Sequence, residues 1–239
     1  MSGAYPQLRV AVFADGANRD EMLKRKREGF VRGFTTNPTL MAKAGVRDYE
    51  EFARSVLAGI TDLPISFEVF SDDFADMERQ ALRISGWGSN VNVKIPITNT
   101  KGESSFGLIK RLLRARLKLN VTAVFTDEQL DGLKALLGPE DDVIISIFAG
   151  RIADTGVDPI PLMKRAVARF KDVPGARILW ASPREVLNVY QADECGCQII
   201  TATDDLIGKL RYHGKPLREF SLETVKMFHD DAQRAGFFL

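Results

Sequence analysis

Residues 91–125 have the sequence VNVKIPITNTKGESSFGLIKRLLRARLKLNVTAVF, which places two apolar, β-branched runs on either side of a helical pattern. The runs cover residues 91–97 and 117–125, and between them, at 104–116, apolar residues recur at helical spacing. Nearly continuous apolar strands around an amphipathic helix are typical of a βαβ unit, in which helices cover a parallel sheet. This stretch therefore predicts a parallel α/β fold.

The same alternation of strand and helix patterns extends along the chain. Strands are predicted at residues 8–14, 31–35, 64–70, 91–97, 117–125, 142–148, 176–181 and 197–201. Helices are predicted at residues 48–57, 72–85, 104–116, 127–137, 160–170, 183–192 and 204–210, with an extra one at 221–235. Such regular alternation fits a closed barrel better than an open doubly wound sheet, which usually has fewer strands. We therefore expect residues 1–239 to form one single-domain (β/α)8 TIM barrel with an extra C-terminal helix.

The composition narrows the classes of partner. The 33 basic and 32 acidic side chains nearly cancel, so neither nucleic acid nor an anionic membrane is expected as the main partner. Cys195 and Cys197 stand two apart in an apolar run, which indicates neither a disulfide framework nor a complete metal site. Residues 1–6 lack a signal pattern, and no run approaches the ~18 apolar residues of a membrane span. We expect a cytoplasmic protein.

Polar residues interrupt or follow the predicted strands at the end where barrel enzymes carry their chemistry. They are Asp15, Asn37, Glu68, Lys94, Asn120, Thr122, Ser146, Arg151, Ser182 and Arg184. A buried salt bridge between Glu68 and Lys94 that merely holds the barrel would explain two of them. It would leave Asp15, Asn120 and Thr122 without a reason, so the pattern predicts an active site.

Lys94 has a chemical reason to stand in an apolar strand. Desolvation favours the neutral amine, which can attack a carbonyl and form a Schiff base. The protonated imine then stabilises the carbanion that remains when a carbon–carbon bond breaks. A nearby carboxylate can remove the hydroxyl proton that starts the cleavage, and Asp15 and Glu68 are the candidates.

A second group of residues follows predicted strands six and seven. Arg151, Ser182 and Arg184 lie there, and a helix predicted to begin near Pro183 would offer free backbone N–H groups. Two guanidinium groups, a hydroxyl and a helix N-terminus suit a phosphate. The alternative is a pair of solvated arginines on a surface loop.

Five segments of the chain resemble, in order, the motifs of the transaldolase family, in particular its short fructose-6-phosphate aldolase/transaldolase-like subgroup. They are residues 34–40 (FTTNPTL), 93–98 (VKIPIT), 120–122 (NVT), 146–152 (SIFAGRI) and 181–184 (ASPR). The chain departs from the family pattern at Gly16, Ile147, Ala149 and Pro183. These departures bear on acceptor choice and phosphate geometry more than on imine chemistry.

The resemblance implies a transferase of the pentose phosphate kind that needs no cofactor and no metal. Such enzymes move a dihydroxyacetone unit from sedoheptulose 7-phosphate or fructose 6-phosphate to glyceraldehyde 3-phosphate or erythrose 4-phosphate. Lys94 would form the imine and Asp15 would handle the proton of the C4 hydroxyl, while Glu68 and Thr122 would hold a water that relays protons. The remaining implied contacts are to substrate hydroxyls for Asn37, Asn120 and Ser146, and to the phosphate for Arg151, Ser182 and Arg184.

Several alternatives remain open. A fructose-6-phosphate-aldolase-like enzyme would release free dihydroxyacetone, but that sister group typically has Gln in place of Glu68 and Tyr in place of Phe148, so both residues favour transfer. The enzyme could also serve a specialised sugar pathway. A metal-dependent aldolase needs clustered imidazoles, and His213 and His229 both follow the eighth strand. A non-catalytic barrel would have been signalled by a lost lysine or acid.

The C-terminal segment predicts self-association. Residues 236–239 (GFFL) follow an amphipathic helix and would be costly to expose. Short transaldolases resemble one another in forming rings through a C-terminal helix, which implies a homo-oligomer. The alternative is that the segment folds back onto its own barrel.

Overall fold

The computed structural model describes residues 5–237, within which eight parallel strands close into a barrel. They are β1 (Ala11–Asp15), β2 (Gly33–Thr35), β3 (Ile65–Glu68), β4 (Val91–Pro96), β5 (Leu119–Val124), β6 (Val143–Ile147), β7 (Ala176–Trp180) and β8 (Ile199–Thr203). The strands follow one another in chain order, and β1 pairs with β8 from Ala11↔Ile199 to Asp15↔Thr203. The expected (β/α)8 barrel is therefore confirmed.

Helices connect the strands throughout the same described stretch. They are α1 (Arg19–Glu28), α2 (Pro38–Lys43), α3 (Tyr49–Leu57), α4 (Phe74–Ser85), α5 (Phe106–Arg114), α6 (Asp127–Lys134), α7 (Ala149–Asp154), α8 (Ile160–Arg169), α9 (Leu187–Glu194), α10 (Asp204–Lys209) and α11 (Leu217–Ala235). A 3-10 turn at Leu210–Tyr212 follows α10. None of these helices is long and apolar enough to cross a membrane.

Three of these helices were not predicted from the sequence, and a physical reason explains why. Helix α1 has the sequence RDEMLKRKRE and buries only Met22 and Arg25, so it lacks an apolar stripe. It begins where the Asn18 side chain accepts hydrogen bonds from the backbone N–H groups of Asp20 and Glu21, a strong N-cap. Helices α2 and α7 have six residues each, too short for periodicity to show.

Apolar side chains fill the barrel beneath the ends of the strands. Phe13, Ile144, Leu179 and Ile199 form a buried cluster contributed by β1, β6, β7 and β8. Each stands two residues before a position that faces the mouth of the barrel, because alternate residues of a strand share a face. This cluster forms the layer directly beneath the polar residues at the mouth of the barrel.

Helix α11 stands apart from the barrel. Within the described part of the chain none of its residues is buried, and Leu217 and Phe228 keep 83% and 64% of their surface exposed. The helix therefore does not fold back onto its own barrel, and Phe237, the last described residue of the 236–239 segment, is 76% exposed. It begins four residues before the predicted start at 221, and Phe238 and Leu239 of the GFFL segment lie outside the described residues.

Candidate active site at the C-terminal mouth of the barrel

A cavity of about 530 Å³ opens at the C-terminal ends of the strands. Ten of the expected site residues line it, namely Asp15, Asn37, Glu68, Lys94, Thr122, Ser146, Phe148, Arg151, Ser182 and Arg184. Residues from β1, β3, β4, β5, β6 and the segments after them thus meet in one place. The exception among the expected residues is Asn120, which is fully buried below the cavity.

Lys94 lies on β4 with its amine at the wall of the cavity. Strand register pairs Lys94 with Glu68 of β3, so their side chains share a face. The Nζ atom lies 3.3 Å from Oε2 of Glu68 and donates a hydrogen bond to the backbone oxygen of Thr36 at 3.0 Å. The side chain is buried, with the residue 7% exposed, so the amine is shielded from bulk water yet reachable from the cavity.

Asp15 ends β1 and its carboxylate also faces the cavity. It accepts hydrogen bonds from Oγ1 of Thr35 at 2.7 Å and from Nδ2 of Asn37 at 3.3 Å. Burial raises the pKa of Asp15, and the positive charge of Lys94 together with these hydrogen bonds only partly offsets that effect. A carboxyl with a raised pKa is suited to both accepting and returning a proton near neutral pH.

Asn120 lies below the cavity and hydrogen-bonds to two neighbouring serines. Its Nδ2 donates to Oγ of Ser66 at 3.0 Å, and its Oδ1 accepts from Oγ of Ser146 at 2.7 Å. The chain of three polar side chains is buried, so each is held in one orientation. Ser146 reaches the cavity, and Asn120 lies one layer below it.

Thr122 projects into the cavity from an irregular part of β5. The register between β5 and β6 shifts between Val121 and Val124, and Ala123 has a φ of 59°. Such a bulge re-aims side chains and is frequent beside active sites. Thr122 lines the cavity, and its Oγ1 atom is buried and has no hydrogen-bond partner among residues 5–237.

The two arginines lie at one side of the mouth. Arg184 donates from Nε to Oδ1 of Asp154 at 2.9 Å, and this hydrogen bond keeps the pKa of Asp154 below its usual value. Arg151 places its guanidinium carbon 5.2 Å from the centroid of the Phe148 ring. Both side chains remain on the cavity wall, where a phosphate could reach them.

The prediction that a helix begins near Pro183 is wrong. Helix α9 begins at Leu187, and the segment before it is not helical. The backbone N–H groups of Arg184 and Glu185 both donate to Oδ1 of Asn188, at 2.7 and 3.2 Å. These two N–H groups are therefore occupied by a side chain of this protein and are not free to bind an anion.

A close backbone crossing holds this side of the mouth together. The backbone N–H of Gly150 donates to the oxygen of Ala181 at 3.2 Å, and a Cβ at position 150 would lie 1.5 Å from the oxygen of Ser182. Only glycine fits there. Ser182 itself has a φ of 62°, a strained conformation for a residue with a side chain. The crossing brings Ser182 to the same wall as Arg151.

The cavity wall also contains residues that the sequence did not single out. They include Thr35, Lys43, Ala123, Thr201 and Thr203. Thr201 lies on β8, and its Oγ1 is 2.6 Å from Oγ1 of Thr35, which in turn donates to Asp15. The strand-end rule applied to strand eight would have found Thr201, the last residue of its predicted run. Lys43 follows Asn37 on a helix that the sequence pattern did not reveal.

Comparison with known proteins agrees with the geometry. Residues 12–238 match the model of the Transaldolase/Fructose-6-phosphate aldolase family. Proteins named probable transaldolase include one from Dehalococcoides mccartyi, 33% identical over 85% of this chain and 91% of the relative. Another, from Thermoanaerobacter sp., is 33% identical over 94% and 97%, and one from Streptococcus agalactiae is 35% identical over 89% and 94%.

Solved structures share the fold at low sequence identity. A putative lyase/mutase from Burkholderia cenocepacia superposes with a TM-score of 0.62 at 12% identity, covering 98% of this chain and 86% of that one. The tryptophan synthase alpha subunit from Campylobacter jejuni gives 0.58 at 13% identity, with 87% and 95% covered. The family match and the relatives above 30% identity establish that this chain belongs to the transaldolase/fructose-6-phosphate aldolase family of enzymes.

Proposed function

We propose that this enzyme is a transaldolase that carries a dihydroxyacetone unit on Lys94 from a ketose phosphate to an aldose phosphate. The donor would be sedoheptulose 7-phosphate or fructose 6-phosphate, and the acceptor glyceraldehyde 3-phosphate or erythrose 4-phosphate. The observation that carries the proposal is the buried Lys94 amine at the cavity wall, 3.3 Å from Glu68 and in the same cavity as Asp15. An imine-forming lysine needs this setting of desolvation with a carboxylate nearby.

The reaction begins when the Lys94 ammonium passes a proton to the Glu68 carboxylate 3.3 Å away, and the neutral amine then attacks C2 of the ketose. The carbinolamine loses water to give the protonated imine, and a water held by Glu68 and the unpartnered Thr122 hydroxyl moves the protons. Asp15 then takes the proton of the C4 hydroxyl. The C3–C4 bond breaks, its electron pair moves towards the imine nitrogen, and the aldose phosphate leaves while the enamine stays on Lys94.

The second half runs in reverse with a new aldehyde. C3 of the enamine attacks the aldehyde carbon, and Asp15 returns its proton to the alkoxide that forms. Water then releases the product from Lys94. Asn37 and Ser146 line the cavity where they can hold hydroxyls of the bound unit, and Asn120 orients Ser146 from below.

Arg151, Ser182 and Arg184 are proposed to bind the substrate phosphate. They share one wall of the cavity and supply two guanidinium groups and a hydroxyl. Charge-assisted hydrogen bonds from guanidinium groups to phosphate are among the strongest polar contacts in proteins. Asp154 partly neutralises Arg184 before the phosphate arrives.

We further infer a single-domain homo-oligomer that assembles through α11 and works in the pentose phosphate pathway of the cytoplasm. The assembly is supported by the exposed apolar residues of α11, which include Phe220 and Phe228.

A reducing compartment is supported by Cys195 and Cys197, which are free thiols within the described chain. Burial raises the pKa of Cys197 to about 12, which keeps this thiol protonated at neutral pH.

Borohydride trapping tests the proposal. Reduction in the presence of fructose 6-phosphate should fix a three-carbon adduct on Lys94, located by peptide mass mapping. Lys94→Met should abolish both the adduct and turnover. Lys118→Met is the matched control, because Lys118 just precedes β5, is exposed and donates to the backbone of Ser89. An adduct on another lysine, or none on any, would reject the mechanism.

A further inference from the structure

Strand β2 ends too early to complete the hydrogen bonds of Glu68. The N–H of Phe34 donates to the oxygen of Pro64 at 2.8 Å, and that of Thr36 donates to the oxygen of Ser66 at 3.2 Å. A parallel ladder repeats every two residues. The next rung would therefore join the N–H of residue 38 to the oxygen of Glu68, and the N–H of Glu68 to the oxygen of Thr36.

Neither bond of that rung is formed. Residue 38 is a proline and has no N–H to donate. The oxygen of Thr36 instead accepts from Nζ of Lys94 at 3.0 Å. The backbone of Glu68 is thus left without a strand partner on its β2 side, next to the amine it pairs with. An unpartnered buried backbone group destabilises a fold or lets the segment move.

The hydroxyl of Tyr49, at the start of α3, takes the place of the missing rung. Its Oη atom accepts from the N–H of Glu68 at 2.7 Å and donates to the oxygen of Glu68 at 3.0 Å. Burial raises the pKa of Tyr49 far above its usual value, so the hydroxyl keeps its proton and stays a donor. Edge contacts with Phe67 and Trp87, at centroid distances of 6.0 and 5.3 Å, hold the ring in place.

The carboxylate of Glu68 depends on this backbone anchor. Within residues 5–237 its recorded polar contact is Lys94, at 3.3 Å, and no neutral side chain orients it. We propose that Tyr49 is a positioning residue of the active site, which fixes the backbone of Glu68 and so holds its carboxylate against Lys94. This inference rests on the proposed imine function, because it assigns Glu68 a role in the proton transfers at Lys94.

Tyr49→Phe isolates the hydroxyl, since it keeps the ring and its packing. The backbone amide of Glu68 should lose protection from hydrogen exchange, while amides of β4 keep theirs. We expect kcat of acceptor-dependent turnover to fall about tenfold, which corresponds to ~1.4 kcal/mol, with KM within about twofold of wild type. Tyr190→Phe is the matched control, because its hydroxyl contacts His213 outside the cavity.

A Glu68→Gln background separates positioning from general destabilisation. If Tyr49 acts through the Glu68 carboxylate, Tyr49→Phe should add little to the loss already caused by Glu68→Gln. The same tenfold loss in both backgrounds, or an unchanged kcat in Tyr49→Phe, would overturn the inference. Absence of a Lys94 adduct and of turnover in the wild type would instead reject the proposed function, and the two failures are thereby distinguished.

Discussion

Nζ of Lys94 and Oε2 of Glu68 lie 3.3 Å apart across neighbouring strands, at positions that the ladder pairs directly. Breaking such a pair leaves one charge without its partner, which costs more than removing both charges. Stability and catalysis should therefore respond differently to changes in the two residues, and this difference separates a structural pair from a catalytic one.

Lys94→Met should destabilise the fold by roughly 1–3 kcal/mol, because it leaves the Glu68 carboxylate without a charged partner. Adding Glu68→Gln should recover most of that loss without restoring any turnover. Urea unfolding measures the first effect and the transfer assay the second. If the double variant stays as unstable as Lys94→Met, the unpaired charge of Glu68 is not the cause of the destabilisation.

Asp15→Asn should change stability in a pH-dependent way. Burial raises the pKa of Asp15 above its usual 3.8, so the native state holds this proton more tightly than the unfolded chain does. Stability from this group is then present at low pH and is lost as the pH rises through the raised value. We expect Asp15→Asn to melt above wild type at about pH 8, and the gain to disappear near about pH 3.

Asp72→Asn provides the control of opposite sign. Hydrogen bonds from the Thr100 side chain and backbone lower the pKa of Asp72, so its stabilisation is present at neutral pH and lost in acid. This variant should melt below wild type at about pH 8 and match it in acid. Thermal unfolding followed by circular dichroism across this range measures both. An equal gain for Asp15→Asn at every pH would show that ionisation is not responsible.

Arg151→Gln and Arg184→Gln should raise KM for phosphorylated sugars about tenfold or more, because each removes a charge-assisted contact of ~1.5–3 kcal/mol. We expect the larger effect at Arg151, which forms no ion pair within the described residues, whereas Arg184 already pairs with Asp154. Unphosphorylated ketoses should be affected far less. Arg165→Gln, on α8 and paired with Asp127, is the control. Equal losses for both kinds of substrate would make these arginines structural.

The parts of the site that the sequence predicts are those where one residue breaks a local pattern. Glu68 and Lys94 stand out because a charge in an apolar strand is expensive without a purpose. Helix α1 could not be predicted from periodicity, since its order depends on the Asn18 cap and its buried Arg25 rather than on an apolar stripe. The start of α9 was missed because Asn188 satisfies two backbone N–H groups that a helix starting at Pro183 would have left free.

The role proposed for Tyr49 could not be predicted from any local sequence pattern. Tyr49 and Glu68 are 19 residues apart and on different elements, and the need for the hydroxyl arises from three separate facts. Strand β2 is short, residue 38 lacks an N–H, and the oxygen of Thr36 accepts from Lys94 and not from the N–H of Glu68. The consequence of each fact is visible only once the register of β2 and β3 is known. That long-range register could not be predicted from the sequence alone.

Phe228→Glu should dissociate the proposed oligomer. Leu217, Phe220 and Phe228 recur at spacings of three and eight residues, so they share one face of α11, and that face is exposed on the single chain. A charge in the middle of an apolar contact is strongly unfavourable. Light scattering at micromolar protein measures the mass. Lys226→Glu places the same side chain on the opposite face and should leave the mass unchanged. A wild-type protein that is already monomeric would reject the assembly.

The choice between transfer and simple cleavage depends on Phe148. Its ring lines the cavity, held between Phe125, with ring centroids 5.6 Å apart, and the guanidinium of Arg151. The unusual neighbours Ile147 and Ala149 are fully buried, so they anchor the segment on either side of the ring. A phenylalanine here offers no hydroxyl to orient a water for imine hydrolysis. The three-carbon intermediate should therefore persist on Lys94 until an aldose phosphate captures it.

We accordingly expect rapid conversion of fructose 6-phosphate only when erythrose 4-phosphate is present, with sedoheptulose 7-phosphate as product. Phe148→Tyr should raise acceptor-independent release of dihydroxyacetone, because the new hydroxyl can orient a water at the imine, and adding Glu68→Gln should raise it further. Phe125→Tyr makes the same chemical change in the ring that packs against Phe148 and should leave this release at the wild-type rate. Release of dihydroxyacetone by the unmodified enzyme as fast without acceptor as with it would assign the protein to the aldolase side of its family, because the intermediate would then be hydrolysed before any acceptor could reach it.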